Sequence, residues 1–327
     1  MTRRIAACLL AAALGAVACG GGGGGGGGDD GGGATAGGLA AEVASFDLAV
    51  GPAARFIVGV LTDDHEFVSY GSVRLRFTYE GRGEKGARSL PGPETTATFI
   101  SLPGSPAAGS RRGPVRAPSS AGKGVYRAEV AFDRAGFWKV EVTAHLVGEG
   151  KPRTATAAFP VRDKHAVRVP GDPALPTENL TVRSPNVPPK AVDSRAEGAD
   201  VPDPELHQTT IARALSLHRP AVVVFATPVY CTSRFCGPVT DMVQELARTY
   251  ADRASFIHVE IWHDFEKQQL EGAAAEWLYR DDNLNEPWVF VIGADGTITA
   301  RFDNVVTRDE VEPLLRALPV IGPEPAP

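Results

Sequence analysis

The sequence predicts an all-β sandwich followed by an α/β domain, in which helices cover both faces of a central sheet. Residues 43–162 alternate apolar and polar side chains with period two, which is typical of short antiparallel strands. Residues 205–320 instead alternate apolar, strand-like runs with helical patterns. The length of 327 residues also suits two domains rather than one.

The composition is that of a globular protein with no affinity for nucleic acid. Hydrophobic residues make up 43% of the chain, which is enough for ordinary cores. The formal net charge is −6, and no basic stretch interrupts this mild acidity. Nucleic acid is therefore excluded from the expected partners.

The first 18 residues have the pattern of a signal peptide. Arg3 and Arg4 form a basic start, and the apolar run from Ile5 to Ala18 is too short to span a bilayer. The run ends in Ala-Val-Ala-Cys, which resembles the lipobox of bacterial lipoproteins, where the cysteine is acylated and becomes the mature N-terminus. This resemblance implies lipidation of Cys19; the alternative is an ordinary cleavable signal peptide.

A glycine-rich tether is predicted for residues 19–42. It cannot bury apolar surface and would behave as a flexible linker. The protein is therefore expected outside the cytoplasm, lipid-anchored to a bacterial membrane on its periplasmic or outer face. With Cys8 removed and Cys19 acylated, Cys231 and Cys236 are the thiols left in a compartment where disulfides form.

Seven short strand candidates fill residues 43–162. They read "FDLAV", "RFIVGVL", "VRLRFTY", "TATFISL", "GVYRAEVAF", "FWKVEVTAHL" and "TATAAFPV". The stretch from Gly124 to Trp138 resembles bacterial immunoglobulin-like modules, some of which are linked with copper. His65 and His145 are isolated here, so no metal site is predicted, and the domain is interpreted as a spacer or a partner-binding module.

The remaining chain is divided into a proline-rich linker at 163–204, the α/β domain at 205–320 and a tail at 321–327. The predicted order in the domain is strand and helix twice, then a hairpin and a last helix. The first strand is "RPAVVVFAT", and a polar helical region is expected from Phe265 to Tyr279. "PWVFVIG" and "TITARFD" form the hairpin, and Thr307 with Glu310 predicts a capping box at the last helix.

This order, with cysteines at the first strand-to-helix junction, resembles the thioredoxin fold over about a third of the chain. An apolar strand runs into Tyr230-Cys231, and Pro287 begins "PWVFVIGADG" where that family has its cis-proline. Within this fold, the sequence is most similar to the TlpA/ResA-like thiol-disulfide oxidoreductases of the bacterial envelope. The resemblance implies a redox-active pair, Cys231 and Cys236, and substrate contacts from Tyr230, Glu286 and Pro287.

The spacing of the pair departs from that family, because this chain has Cys-x4-Cys instead of Cys-x-x-Cys. "FCGPV" resembles the thioredoxin motif with Cys236 as the first cysteine. The apolar stripe from Val239 to Tyr250 instead continues from Cys236 with helical spacing, which favours Cys236 as the second cysteine, at the start of the helix.

Helix geometry then places Cys231 in the loop before the helix. Residues five apart on a regular helix have Cα atoms about 8.5 Å apart, too far for a disulfide. Pro238 is tolerated only in the first helical turn, which puts the helix start near Cys236. Both thiols would then lie at a helix N-terminus, which stabilises a thiolate.

Two acidic residues near the predicted site are open to more than one interpretation. Glu286 could act on the thiols through its charge, could select basic substrates, or could point to solvent. Glu260 could be a proton relay or a solvated strand end.

The predicted function is thiol-disulfide exchange with protein partners, without a cofactor, by a membrane-anchored protein. A first alternative is a non-catalytic binding or scaffold protein with a structural disulfide. A second is a Sco-type copper-handling protein, for which His258 and His263 lie at unsuitable positions. A third is a peroxiredoxin-like peroxide reductase, suggested by "ATPVYCTS", in which Tyr230 shifts the threonine out of register.

Overall fold

The computed structural model of the protein describes residues 38–83, 88–105, 112–118 and 122–324. The predicted signal peptide and most of the predicted tether, including the lipidation residue Cys19, lie outside these residues. All described residues belong to one compact unit.

Nine strands in the first half of the described chain form one antiparallel sheet. Their order is β6-β3-β2-β7-β5-β4-β8-β9, and β1 pairs with β2 beside this path. The strands are β1 (Leu39–Val43), β2 (Ala54–Thr62), β3 (Phe67–Ser69), β4 (Ser72–Gly81), β5 (Leu90–Ser101), β6 (Val115–Ala117), β7 (Gly124–Val130), β8 (Gly136–Ala144) and β9 (Arg153–Val161).

Strand β5 joins what were predicted to be two separate sheets. Its first part pairs with β4 up to Thr98 opposite Ser72, and its end pairs with β7 from Thr98 opposite Arg127 to Ser101 opposite Gly124. Hydrogen bonding therefore continues through β5, and the predicted two-sheet immunoglobulin-like sandwich is wrong. Period-two alternation specifies which face of a strand is buried but does not specify its neighbours.

The alternation itself is confirmed by burial. Val73, Leu75 and Phe77 of β4 are buried, whereas Arg74 and Arg76 on the opposite face are exposed. Aromatic rings fill the centre of this core, namely those of Phe56, Phe77, Phe132, Trp138 and Phe159.

A second, four-stranded sheet follows in the order β11-β10-β14-β15. Its strands are β10 (Ala221–Ala226), β11 (Ser255–Glu260), β14 (Trp288–Ile292) and β15 (Ile298–Asp303). β10 and β11 are parallel, and the other two pairs are antiparallel. The predicted β14–β15 hairpin is therefore confirmed.

Within the part of the chain that the structure describes, five α-helices and one 3-10 helix accompany this sheet. They are α1 (Pro189–Val192), the 3-10 helix Pro204–His207, α2 (Ile211–Ser216), α3 (Cys236–Tyr250), α4 (Gly272–Leu278) and α5 (Arg308–Ala317). Val222 and Val224 of β10 share a core with α3 and α5, and Val223 and Phe225 share another with α2 and α4. The predicted capping box of Thr307 and Glu310 is present at α5.

The predicted fold class is wrong. Strand accounts for 38% and helix for 17% of the structure, and the dominant element is the nine-stranded antiparallel sheet. The protein as a whole is therefore mostly β, and not the predicted α/β thioredoxin-like fold.

One local reason lies in the region predicted as helical from Phe265 to Tyr279. Strands β12 (Trp262–Asp264) and β13 (Gln269–Leu270) form a hairpin there, and only α4 is helical. Gln268 has a positive φ of 54° and donates its backbone N–H to Phe265, which ends any helix at this turn.

Candidate functional site

Cys231 and Cys236 form a disulfide at the junction of β10 and α3. Cys231 lies in the turn after β10, and Cys236 is the first residue of α3, as expected from the helix geometry. Their Cα atoms are 6.0 Å apart, within the range that a disulfide requires.

The two cysteines differ in their access to solvent. Cys236 is fully buried and begins the stripe that continues through Val239 and Met242 into the core. Cys231 is half-buried, and its Sγ lies 3.2 Å from Ser233 Oγ and 3.4 Å from the backbone nitrogen of Cys236. Cys231 is therefore the more accessible member of the pair.

A carboxyl group faces the two sulfurs from the start of β14. The peptide bond between Glu286 and Pro287 is cis, and a Glu286 oxygen lies within 4.8 Å of both Cys231 Sγ and Cys236 Sγ. Burial, followed by the negative charge of Glu260, raises the pKa of Glu286 to about 7. The charge beside the disulfide therefore changes close to neutral pH.

Tyr230, the third side chain predicted to contact substrate, packs on the β12–β13 hairpin. Its ring stacks on Phe265 with centroids 4.0 Å apart and planes 2° apart, and Trp262 meets Phe265 edge-on. The predicted residues Cys231, Cys236 and Glu286 therefore lie together, while Tyr230 belongs to this half-buried aromatic group next to them.

Glu260 is buried at the end of β11 and is not a solvated strand end. Its carboxylate accepts hydrogen bonds from the backbone N–H groups of Ser194, Ile261 and Trp262. Burial raises its pKa despite these contacts. Ser194 Oγ in turn accepts from the N–H of Val229, so Glu260 is connected to the turn that carries Cys231.

A second polar cluster lies among the linker, the 3-10 helix and β11, and was not predicted from the sequence. Asp193, His207 and His258 are fully buried, with one potential ligand atom from each within 4.8 Å of the others. Burial alone would raise the pKa of Asp193, but contacts with His207, His258 and Arg195 lower it well below its usual range. The residues come from the linker, the 3-10 helix and β11, and no spacing in the sequence relates them.

The loop between the cysteines also contacts the nine-stranded sheet. The ring of Phe235 packs against a small core formed by Ile57, Leu102, Val125 and Val305. Sequence patterns could not indicate this contact, because it joins residues about 70 to 180 positions apart. The first sheet therefore helps to hold the cysteine loop.

The chain matches no protein-family model, and no curated protein is significantly similar to it. Among the described residues, no helix has both the length and the apolar character of a membrane span.

Proposed function

We propose that this protein carries out thiol-disulfide exchange on protein substrates through Cys231 and Cys236, outside the cytoplasm and tethered by a lipid on Cys19. The observation that carries this proposal is the unequal exposure of a bonded cysteine pair at the start of α3. Purely structural disulfides do not require that one partner face solvent beside an ionisable group.

The exchange is balanced as a two-electron transfer. In the reduced protein, the Cys231 thiolate attacks a substrate disulfide, forms a mixed disulfide and releases one substrate thiolate. The Cys236 thiolate then attacks Cys231 Sγ, which restores the Cys231–Cys236 bond and releases the second substrate thiolate. The substrate is reduced, the pair is oxidised, and a dithiol protein partner returns the pair to the reduced state by the same steps in reverse.

The surroundings support different roles for the two thiols. The unpaired N–H groups and the positive dipole end at the start of α3 stabilise a thiolate there. The backbone N–H of Cys236 already points at Cys231 Sγ. Because Cys236 is buried, its thiolate can attack only the neighbouring Cys231 Sγ of a mixed disulfide and not a substrate in solution.

The division of roles is tested with two single variants. Cys236→Ser should accumulate mixed disulfides through Cys231, whereas Cys231→Ser should trap few. In the reduced wild-type protein, iodoacetamide should label Cys231 before Cys236, as followed by peptide mass spectrometry. Faster labelling of Cys236 would reverse the assignment. The proposal would be disproved if both thiols reacted only in denaturant and the double variant Cys231→Ser with Cys236→Ser kept its exchange activity.

A structural role for the disulfide is the second candidate, and the packing of Phe235 supports it. The ring packs against residues of the nine-stranded sheet and holds the loop in place. A loop held in this way is compatible with a disulfide that only cross-links the fold. The reduction potential of the pair separates the two candidates. A structural disulfide is expected below about −300 mV, and an exchanging one above that value.

A further inference from the structure

The cluster of Asp193, His207 and His258 has buried polar atoms that its neighbours do not satisfy. Among the described residues, three ring nitrogens have no hydrogen-bond partner, namely His207 Nδ1, His207 Nε2 and His258 Nδ1. The side chains of Asp193, His207 and His258 are all fully buried. Buried polar atoms are rarely without a partner, which indicates that a further group binds in the cluster.

We propose that Asp193, His207 and His258 bind a divalent transition-metal ion of the Zn²⁺ class. This inference does not rest on the proposed exchange activity. Two imidazoles and one carboxylate are a ligand set that Zn²⁺ commonly has, with the fourth position left to a water molecule.

The two distances from the Asp193 carboxylate fit such an ion. Asp193 Oδ2 lies 3.4 Å from His207 Nε2 and 3.3 Å from His258 Nδ1. Zn²⁺ binds nitrogen and oxygen at about 2.0–2.2 Å, so tetrahedral ligand atoms lie about 3.3–3.5 Å apart. The contacts have this length but do not have hydrogen-bond directions, since the same nitrogens lack partners within the described residues.

The orientation of His258 is that of a metal ligand. Its Nε2 lies 3.0 Å from the carbonyl oxygen of Ala226, which can only accept a hydrogen bond. Nε2 therefore carries the hydrogen, and in the neutral ring Nδ1 presents a lone pair towards Asp193. Metal-binding histidines typically donate their second ring N–H to a backbone carbonyl in this way.

The surrounding charges accommodate a cation despite the nearby guanidinium of Arg195. Arg195 pairs with Asp193 at 2.8 Å, but also with Asp203 at 2.6 Å and Asp241 at 3.2 Å. These two additional carboxylates offset its positive charge. A divalent ion would therefore enter a region with more acidic than basic side chains.

The proposed ion would connect three segments that share no regular element. Asp193 follows α1, His207 ends the 3-10 helix, and His258 lies in β11. Asp193 is followed by Ser194, which bonds both Glu260 and the N–H of Val229 near the disulfide. We therefore expect the ion to hold the linker against the second sheet.

The test uses the full chain, without a histidine tag and with the disulfide intact, after removal of metal by chelation. Zn²⁺ alone is titrated against a chromophoric chelator, and Co²⁺ alone is followed by its ligand-field absorption. We expect one ion per chain, a four-coordinate Co²⁺ spectrum, and a rise of several degrees in Tm with Zn²⁺.

Matched variants assign the site. Removing an outer-shell partner costs about 10–100-fold in metal affinity, so losing a ligand in His207→Gln or His258→Gln should cost more than about 100-fold. His263→Ala, on β12 outside the cluster, and the double variant Cys231→Ser with Cys236→Ser should bind Zn²⁺ as tightly as the wild type.

Wild-type measurements keep the proposal falsifiable if the histidine variants do not fold. X-ray absorption of the Zn²⁺-loaded chain should show nitrogen and oxygen neighbours with imidazole scattering and no sulfur. Absence of stoichiometric Zn²⁺, sulfur in the first shell, or loss of binding in His263→Ala would each overturn the site.

Discussion

The residue with the most direct influence on the disulfide is Glu286. Its carboxyl group is half-buried, lies within 4.8 Å of both sulfurs and has a pKa of about 7. Below that pH the group is neutral and does not oppose a thiolate. Above it, Glu286 is ionised, and its charge makes a thiolate on Cys231 less favourable.

Glu286→Gln should therefore speed alkylation of reduced Cys231 by about 3–10-fold at pH 8, because it removes a nearby negative charge. The difference should shrink towards pH 6, where wild-type Glu286 is protonated. Iodoacetamide labelling from pH 6 to 8 measures it, with Glu266→Gln in the exposed hairpin as the matched control. Equal rates for wild type and Glu286→Gln across this range would contradict the role assigned to Glu286.

The same substitution should alter the pH dependence of stability. The folded-state pKa of Glu286 lies above its ordinary value of 4.5, so the neutral form stabilises the fold. This contribution is complete below about pH 4.5 and is lost as the pH rises through 7. Denaturant unfolding should show Glu286→Gln gaining stability relative to wild type between pH 5 and 8. A constant difference over that interval would mean that Glu286 is solvated.

At the scale of elements, the loop between β10 and α3 is held at both ends. The disulfide between Cys231 and Cys236 joins the two ends of the loop, and Phe235 packs against Ile57 and Val125 of the nine-stranded sheet. Arg234 beside it takes a positive φ of 62°, which turns the chain so that the next residue faces that sheet. The loop conformation thus depends on an element far away in the sequence.

Phe235→Ala should destabilise the protein by about 1–2 kcal/mol, because a half-buried ring leaves the small core between the sheets. It should also speed reduction of the disulfide by dithiothreitol, since the loop loses its restraint. Val229→Ala is the control, because Val229 is 55% exposed in the same turn. A reduction rate unchanged from wild type would show that Phe235 stabilises the fold without restricting the pair.

At the scale of the whole molecule, charged side chains join the two sheets. Arg55 of β2 bonds Asp303 and Glu310, both at 2.9 Å, with only 12%, 10% and 4% of the three side chains exposed. Burial alone would raise the pKa of Glu310, but the charge of Arg55 and hydrogen bonds from Arg55 and Arg127 lower it. The ion pairs of Glu310 therefore persist in mild acid and weaken only as the pH falls below the ordinary range of a glutamate.

Arg55→Ala should cost about 3 kcal/mol of unfolding free energy, because two buried carboxylates lose this guanidinium and Glu310 keeps only the more exposed Arg127 as an arginine partner. Arg76→Ala is the control, since Arg76 forms an exposed pair with Glu141 and should cost at most about 1 kcal/mol. Urea unfolding monitored by tryptophan fluorescence measures both. A similar small effect from the two variants would mean that the sheets are held by apolar contacts alone.

The proposed membrane attachment concerns the chain as a whole and is predicted from its first residues. Cys19→Ala should move the protein from the membrane fraction to the soluble fraction, or leave an uncleaved precursor. Fractionation and mass spectrometry of the mature N-terminus provide the measurement. A mature protein that begins at a residue other than an acylated Cys19 would rule out the lipid anchor.

The sequence by itself determined the features that depend on local periodicity and backbone chemistry. Helical spacing from Cys236 to Tyr250 predicted α3 and its buried stripe, and helix geometry placed Cys231 in the loop before it. Alternation identified most strands, and the capping residues predicted the start of α5. Each of these depends on residues that are close in the chain, where φ, ψ and side-chain direction follow directly from residue type.

Only the tertiary structure decided which strands pair and which side chains meet. The alternating pattern of β5 does not show that this strand pairs with both β4 and β7. Because it pairs with both, the strands form one nine-stranded sheet instead of the expected sandwich, and the structure is mostly β. The proline-rich linker brings Asp193 to His207 and His258, which its composition did not indicate. Such contacts arise from packing between distant segments, whose free energy depends on the whole burial pattern and leaves no periodic signal in the sequence.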